Sequence, residues 1–115
     1  MYGTVARMRL KPGAEALFDA QMKSMSNLAL GDLGWVSTMI YRSDDDAREV
    51  WMVVVFDSRE SYQANAARPN QDMHYRLMRG CLESDPEWHD GEIVGQLPGD
   101  WLLRTKETEW GRHEG

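Results

Sequence analysis

Glu49-Val50-Trp51-Met52-Val53-Val54-Val55-Phe56-Asp57-Ser58-Arg59-Glu60 is the stretch on which the fold turns. Val50 to Phe56 is the longest unbroken apolar run, and it is far shorter than the about 20 residues of a membrane-spanning helix. Its β-branched and aromatic composition predicts a strand, and its continuity predicts burial on both faces. Asp57 is then expected to cap a helix, with Glu60 three residues later completing a capping box.

Upstream, Trp35 to Arg42 is a second strand candidate, with Trp35, Met39 and Tyr41 on one face and Val36, Thr38 and Ile40 on the other. The polar link Ser43-Asp44-Asp45-Asp46 joins it to the first stretch as an antiparallel hairpin. Tyr2 to Leu10 is a further strand, ended by Lys11-Pro12-Gly13. Ala14, Leu17, Phe18, Met22, Met25 and Leu28 then recur at helical spacing, predicting a helix over 14–28 before the breaker Gly31-Asp32-Leu33-Gly34.

Downstream, the helix after Asp57 runs to about Ala67, where Pro69 stops or kinks it. Asn70 is expected to cap a continuation over 71–83 striped by Met73, Leu77, Met78, Cys81 and Leu82, ended by Asp85-Pro86. A fourth strand is expected at 92–97. The order β-α-β-β-α-β is the ferredoxin-like arrangement, an α+β fold with a four-stranded antiparallel sheet and its helices on one face.

Residues 1–97 form one domain of ordinary size within the 115-residue chain, and 98–115 form an extension. The extension carries Trp101, Leu102, Leu103 and Trp110, so docking on the core or on a partner subunit is expected of it, with a lid over a pocket as the alternative. Leu, Ile, Val and Phe supply only 21 of 115 residues; eight Met, five Trp and four Tyr favour an adaptable aromatic interior. A net charge of −6 without a basic stripe argues against nucleic acid and anionic membrane surfaces. Cys81 is the one cysteine, which excludes an internal disulfide and a multi-cysteine metal site. The opening Met1-Tyr2-Gly3-Thr4 lacks signal-peptide character, and the expectation is a cytoplasmic protein. The helices cover one sheet face only, yet the hairpin strands are apolar on both, so a homodimer with facing sheets is expected.

Three stretches carry a resemblance to a known family: the strand and turn Arg9-Leu10-Lys11-Pro12-Gly13, the passage Val54-Val55-Phe56-Asp57-Ser58-Arg59-Glu60-Ser61-Tyr62, and the ending Asp85-Pro86-Glu87-Trp88-His89-Asp90-Gly91-Glu92. With them the chain resembles the antibiotic-biosynthesis-monooxygenase-like (ABM) domains of the dimeric α+β barrel superfamily. The resemblance implies a pocket in each subunit between sheet and helices. It implies either oxidation of aromatic, polyketide-like substrates by O2 without metal or flavin, or, as in haem-degrading relatives, haem held by a helix histidine. His74 falls where that histidine would stand; Asn65 and Ala6 stand where the haem-degrading members have Trp and Asn.

His74 lies near the apolar stripe and is the candidate proton acceptor, the alternative being a helix-edge histidine bonded to a carboxylate or water. Tyr62 and Asn65, three apart on one helix face, are candidates for orienting a substrate oxygen, though Tyr62 reads equally as core. Phe18, Met22, Tyr41, Trp51 and Met78 are candidate substrate contacts; each is also explained by packing. Arg7 and Arg9 would steady an anionic substrate or, as preferred, pair with acids of a partner subunit. Asp44 to Asp46 lack the glycine and glutamate of a Ca2+ loop and read as a solvated hairpin tip. His89 and Asp90 are adjacent and form no dyad on one strand face; a place for His89 at the dimer interface is the functional alternative.

The function expected is a cofactor-independent monooxygenase acting on a small aromatic or polyketide-like substrate. A haem-binding protein and a non-catalytic dimeric ligand-binding module are the alternatives.

Overall fold

The computed structural model describes residues 1–26 and 33–98. Seven elements follow one another: β1 (Tyr2–Arg9), α1 (Glu15–Ser26), β2 (Trp35–Arg42), β3 (Glu49–Phe56), α2 (Arg59–Ala66), α3 (Pro69–Arg79) and β4 (Glu87–Glu92). The strands form one antiparallel sheet in the order β2-β3-β1-β4. This is the ferredoxin-like fold expected from the element order. The extension beyond Pro98 lies outside the described residues, as do Leu28 and the breaker residues 31–32.

Alternation along β1 separates the two faces. Thr4, Ala6 and Met8 are buried beneath the helices, and Val5 and Arg7 are exposed on the other side. In β3 the same parity buries Val50, Met52 and Phe56, while Trp51, Val53 and Val55 are only half-buried. The core joins Ala6, Met8, Leu10, Phe18, Val50, Met52, Met78, Cys81 and Leu82.

Several local features depart from the sequence expectation. Ser58, not Asp57, is the cap of α2: its extended backbone lets its hydroxyl accept the Ser61 N–H at 3.0 Å. The Asp57 N–H donates to the Gly34 carbonyl at 2.8 Å, which holds Asp57 at the end of the sheet and moves the helix start one residue on. Pro69 opens α3 instead of merely interrupting a helix, because the first helical position needs no N–H. The helix ends at Arg79, short of Glu83, because Leu82 forms a β-bridge with Leu10 and the Glu83 N–H donates to the Arg9 carbonyl.

The fourth strand is Glu87–Glu92, not 92–97. None of its six residues is buried, so no apolar period marks it; pairing of Tyr2 to Arg7 with Glu92 to Glu87 makes it a strand. A bulge between Trp35 and Ser37 shifts the phase of β2. Trp35 therefore stands opposite Phe56 and donates its indole N–H to Thr38 Oγ1 at 2.9 Å, instead of sharing a face with Met39 and Tyr41.

The two strand-one arginines pair within the chain. Arg7 reaches Glu49 at 3.0 Å, and Arg9 binds Asp46 and, at 3.3 Å, Glu83. Asp46 at the hairpin tip thus belongs to an ion-pair clasp, and Arg9 and the Arg48 N–H hold its carboxyl below the ordinary carboxylate range.

Candidate functional site

In this strand order β2 is an edge, and it extends past the helix layer. Ile40 and Arg42, on the helix-facing side by their pairing with Met52 and Val50, both remain exposed. Between this uncovered edge and α1 opens a cleft of about 350 Å3. Phe18, Asp19, Met22 and Lys23 come from α1; Ile40, Tyr41 and Arg42 from β2; Val50 from β3. The volume sits at the low end of the about 300–1,000 Å3 common to small-molecule sites.

The pattern that builds the cleft is short-range. Phe18 and Met22 are four apart and share the inward stripe of α1; Asp19 and Lys23, each one residue on, follow them at the rim. The floor is thus apolar, and the mouth carries two cations and one carboxylate.

Of the substrate contacts anticipated from the sequence, Phe18 and Met22 line this cleft; Tyr41 borders it from β2, but its ring lies on the opposite face of the sheet. Met78 is buried in the core. Trp51 faces the opposite side of the sheet, where its ring stacks on Tyr41 with centroids 6.3 Å apart and planes at 23°. Its indole N–H donates to Glu49 Oε2 at 2.9 Å, and this bond with that of Arg7 holds the Glu49 carboxyl below its usual range.

His74, Asn65 and Tyr62 are not among the cleft-lining residues. Half-buried His74 sits on α3, and its backbone carbonyl accepts a hydrogen bond from Gln21 Nε2 at 3.0 Å, tying α3 to α1. Asn65 Oδ1 accepts from Arg68 Nη1 at 2.9 Å. Tyr62 packs against Tyr2 at 5.3 Å and Phe56 at 5.6 Å and donates its hydroxyl to Asp90 Oδ1 at 3.1 Å. Burial and the neighbouring Asp90 carboxylate push its phenol up to about 12. Its visible work is to pin α2 onto three strands.

Asp19, Lys23, Ile40, Arg42 and Val50 are cleft residues that no sequence motif marks. The signal for Arg42 was present in the alternation of β2, which places it on the Ile40 face. Among the described residues, no group of three or more His, Cys, Asp or Glu side chains is placed to hold a metal ion. No described helix is long and apolar enough to cross a membrane.

A second, smaller depression of about 170 Å3 lies where β1, β3 and β4 meet, lined by Gly3, Val5, Val53, His89 and Gly91 among others. His89 there is 2.9 Å from Glu87.

No curated protein matches the sequence. Among solved structures, the chain is similar to SnoaB, a cofactor-independent oxygenase from Streptomyces nogalater, at 20% identity and a TM-score of 0.69, covering 85% of this chain and 97% of that one. A conserved protein from Methanosarcina mazei Go1 aligns at 18% identity and a TM-score of 0.71, over 79% of this chain and 90% of the other. A candidate antibiotic biosynthesis monooxygenase from Chloroflexus aurantiacus aligns at 24% identity and a TM-score of 0.68, over 83% and 94%. At these identities the likeness is one of fold. The sequence profile of the antibiotic biosynthesis monooxygenase (ABM) family matches residues 1–72, a span that contains the cleft-forming α1, β2 and β3, and the chain therefore belongs to that family.

Proposed function

We propose that this protein is a cofactor-independent oxygenase acting on a small aromatic substrate held in the cleft between α1 and the β2–β3 edge. The observation that carries the reading is the apolar floor of that cleft, with Phe18, Met22, Ile40 and Val50 at a site of about 350 Å3, in a chain of the ABM family. SnoaB, which shares the fold, is described as a cofactor-independent oxygenase.

The chemistry needs no external reductant. A ring-activated CH2 loses a proton, the carbanion passes an electron to O2, and recombination forms a C–O bond. The resulting hydroperoxide loses water to leave a ketone, so CH2 plus O2 gives C=O plus H2O. The protein's share is to receive the proton, favour the anion and keep bulk water from the rings. Phe18, Met22 and Ile40 supply the dry surface. Asp19 is the carboxylate at the cleft and is the acceptor in this reading; His74, the candidate of the sequence, lies outside the lining.

The working unit in this proposal is a cytoplasmic homodimer joined through the sheet face away from the helices. Haem chemistry does not suit the residues present: His74 is the one matching position, and it does not line the cleft.

Oxygen uptake with anthrone, corrected for its spontaneous oxidation, tests the reading. One O2 consumed per ketone formed, without hydrogen peroxide, is expected. Asp19→Asn should slow turnover at least about tenfold, and His74→Ala should change it less than about twofold. Ile40→Trp, which fills the cleft, should abolish it. Uptake no faster than the spontaneous rate with anthrone, or unaltered by Ile40→Trp, would refute the assignment.

A further inference from the structure

We infer that the cleft selects planar aromatic carboxylates, with Arg42 as the residue that anchors the anion. The inference rests on the proposed use of this cleft as the substrate site, and is independent of whether oxygen chemistry follows binding.

Arg42 is set apart by having no partner among the described residues. Arg7, Arg9, Arg48, Arg76 and Arg79 each hold a carboxylate. Arg68 holds Asn65 Oδ1, and the Arg59 guanidinium lies 5.8 Å from the Tyr2 ring centroid. Among the described residues, Arg42 is the one arginine for which no hydrogen bond, ion pair or ring contact exists. In an acidic chain of net charge −6, acids are plentiful, yet none of the described ones is spent on it.

Its position gives that vacancy a use. Arg42 pairs with Val50 in the sheet and lines the cleft beside Phe18 and Met22. A flat hydrocarbon on this floor would bring a substituent at its edge to the guanidinium. The fork of N–H donors fits a carboxylate bidentately. Lys23 and Asp19 stand at the same mouth.

Calorimetric titration of the intact protein with naphthalene-2-carboxylate and its neutral isostere naphthalene-2-carboxamide decides the matter. In wild type the carboxylate should bind at least about tenfold more tightly, and raising the salt concentration should weaken it alone. Arg42→Gln should remove the preference while leaving amide affinity within about twofold, and Arg42→Lys should restore part of it. Arg42 is exposed, and far-UV dichroism checks that both variants fold. Equal binding of the two ligands to wild type, a preference that survives Arg42→Gln, or no binding of either ligand would overturn the inference. An Arg42-dependent preference in a protein that consumes no oxygen would sustain this inference and sink the oxygenase reading.

Discussion

A Cβ atom placed on Gly34 would lie 2.4 Å from Ser61 Oγ and 2.6 Å from Asp57 Oδ1. Gly34 holds a φ of +91°, and its carbonyl takes the Asp57 N–H, so the entry of β2 and the start of α2 are built against each other. Gly34→Ala adds both a left-handed backbone penalty and a clash with the Ser61 and Asp57 side chains. A loss of about 2 kcal/mol or more is expected in urea unfolding. Gly91→Ala, where the added methyl meets open space, should stay within about 0.5 kcal/mol and serves as the control.

The α2 cap offers a smaller, separable effect. Ser58→Ala removes the acceptor of the Ser61 N–H and should cost about 1 kcal/mol, whereas Asp57→Ala should cost less, since its side chain does not cap the helix. A larger loss for Asp57→Ala than for Ser58→Ala would move the cap to Asp57.

Tyr62 should ionise well above the pH at which a free tyrosine does. Its phenol stands at about 12 against an ordinary 10.0 because burial and Asp90 disfavour the phenolate. The folded value is raised, so the folded state keeps its proton while the unfolded chain releases it. The stabilisation is complete below pH 10 and is lost as pH climbs from about 10 to about 12. Tyrosinate absorbance should contain a late step that Tyr62→Phe removes, and the variant's stability should fall less over that window.

On the far side of the sheet Met39 is 67% and Tyr41 53% exposed, beside half-buried Trp51, Val53 and Val55. An apolar strip of this kind is expected to close against a second copy. Sedimentation should give twice the 13.2 kDa chain mass. Met39→Asp should weaken self-association at least about tenfold, and a monomeric wild type at micromolar concentration would remove the dimer from the proposal.

Cys81 is buried at 1% exposure, its thiol points to the Leu77 carbonyl at 3.8 Å, and burial pushes its pKa up. Alkylation in the folded protein near pH 8 should therefore run about 100-fold or more slower than in urea. Comparable rates would mean that the end of α3 opens readily.

What the sequence by itself determined is local and periodic. The alternation of β1, the apolar run of β3, the Asp44 to Asp46 hairpin and the Phe18–Met22 stripe each follow from the preferences of neighbouring residues, and together they specify the ferredoxin-like order. The tertiary structure decided what depends on distant partners. Glu87–Glu92 becomes a strand through the hydrogen bonds that β1 offers it; Trp35 changes face at a bulge; Arg7 and Arg9 find Glu49, Asp46 and Glu83 from other elements. The cleft is of the same kind. Its apolar residues could be read from spacing, but Asp19, Lys23 and Arg42 meet there only because β2 is an edge that the helix layer leaves uncovered, a property of sheet order that no short stretch of sequence encodes.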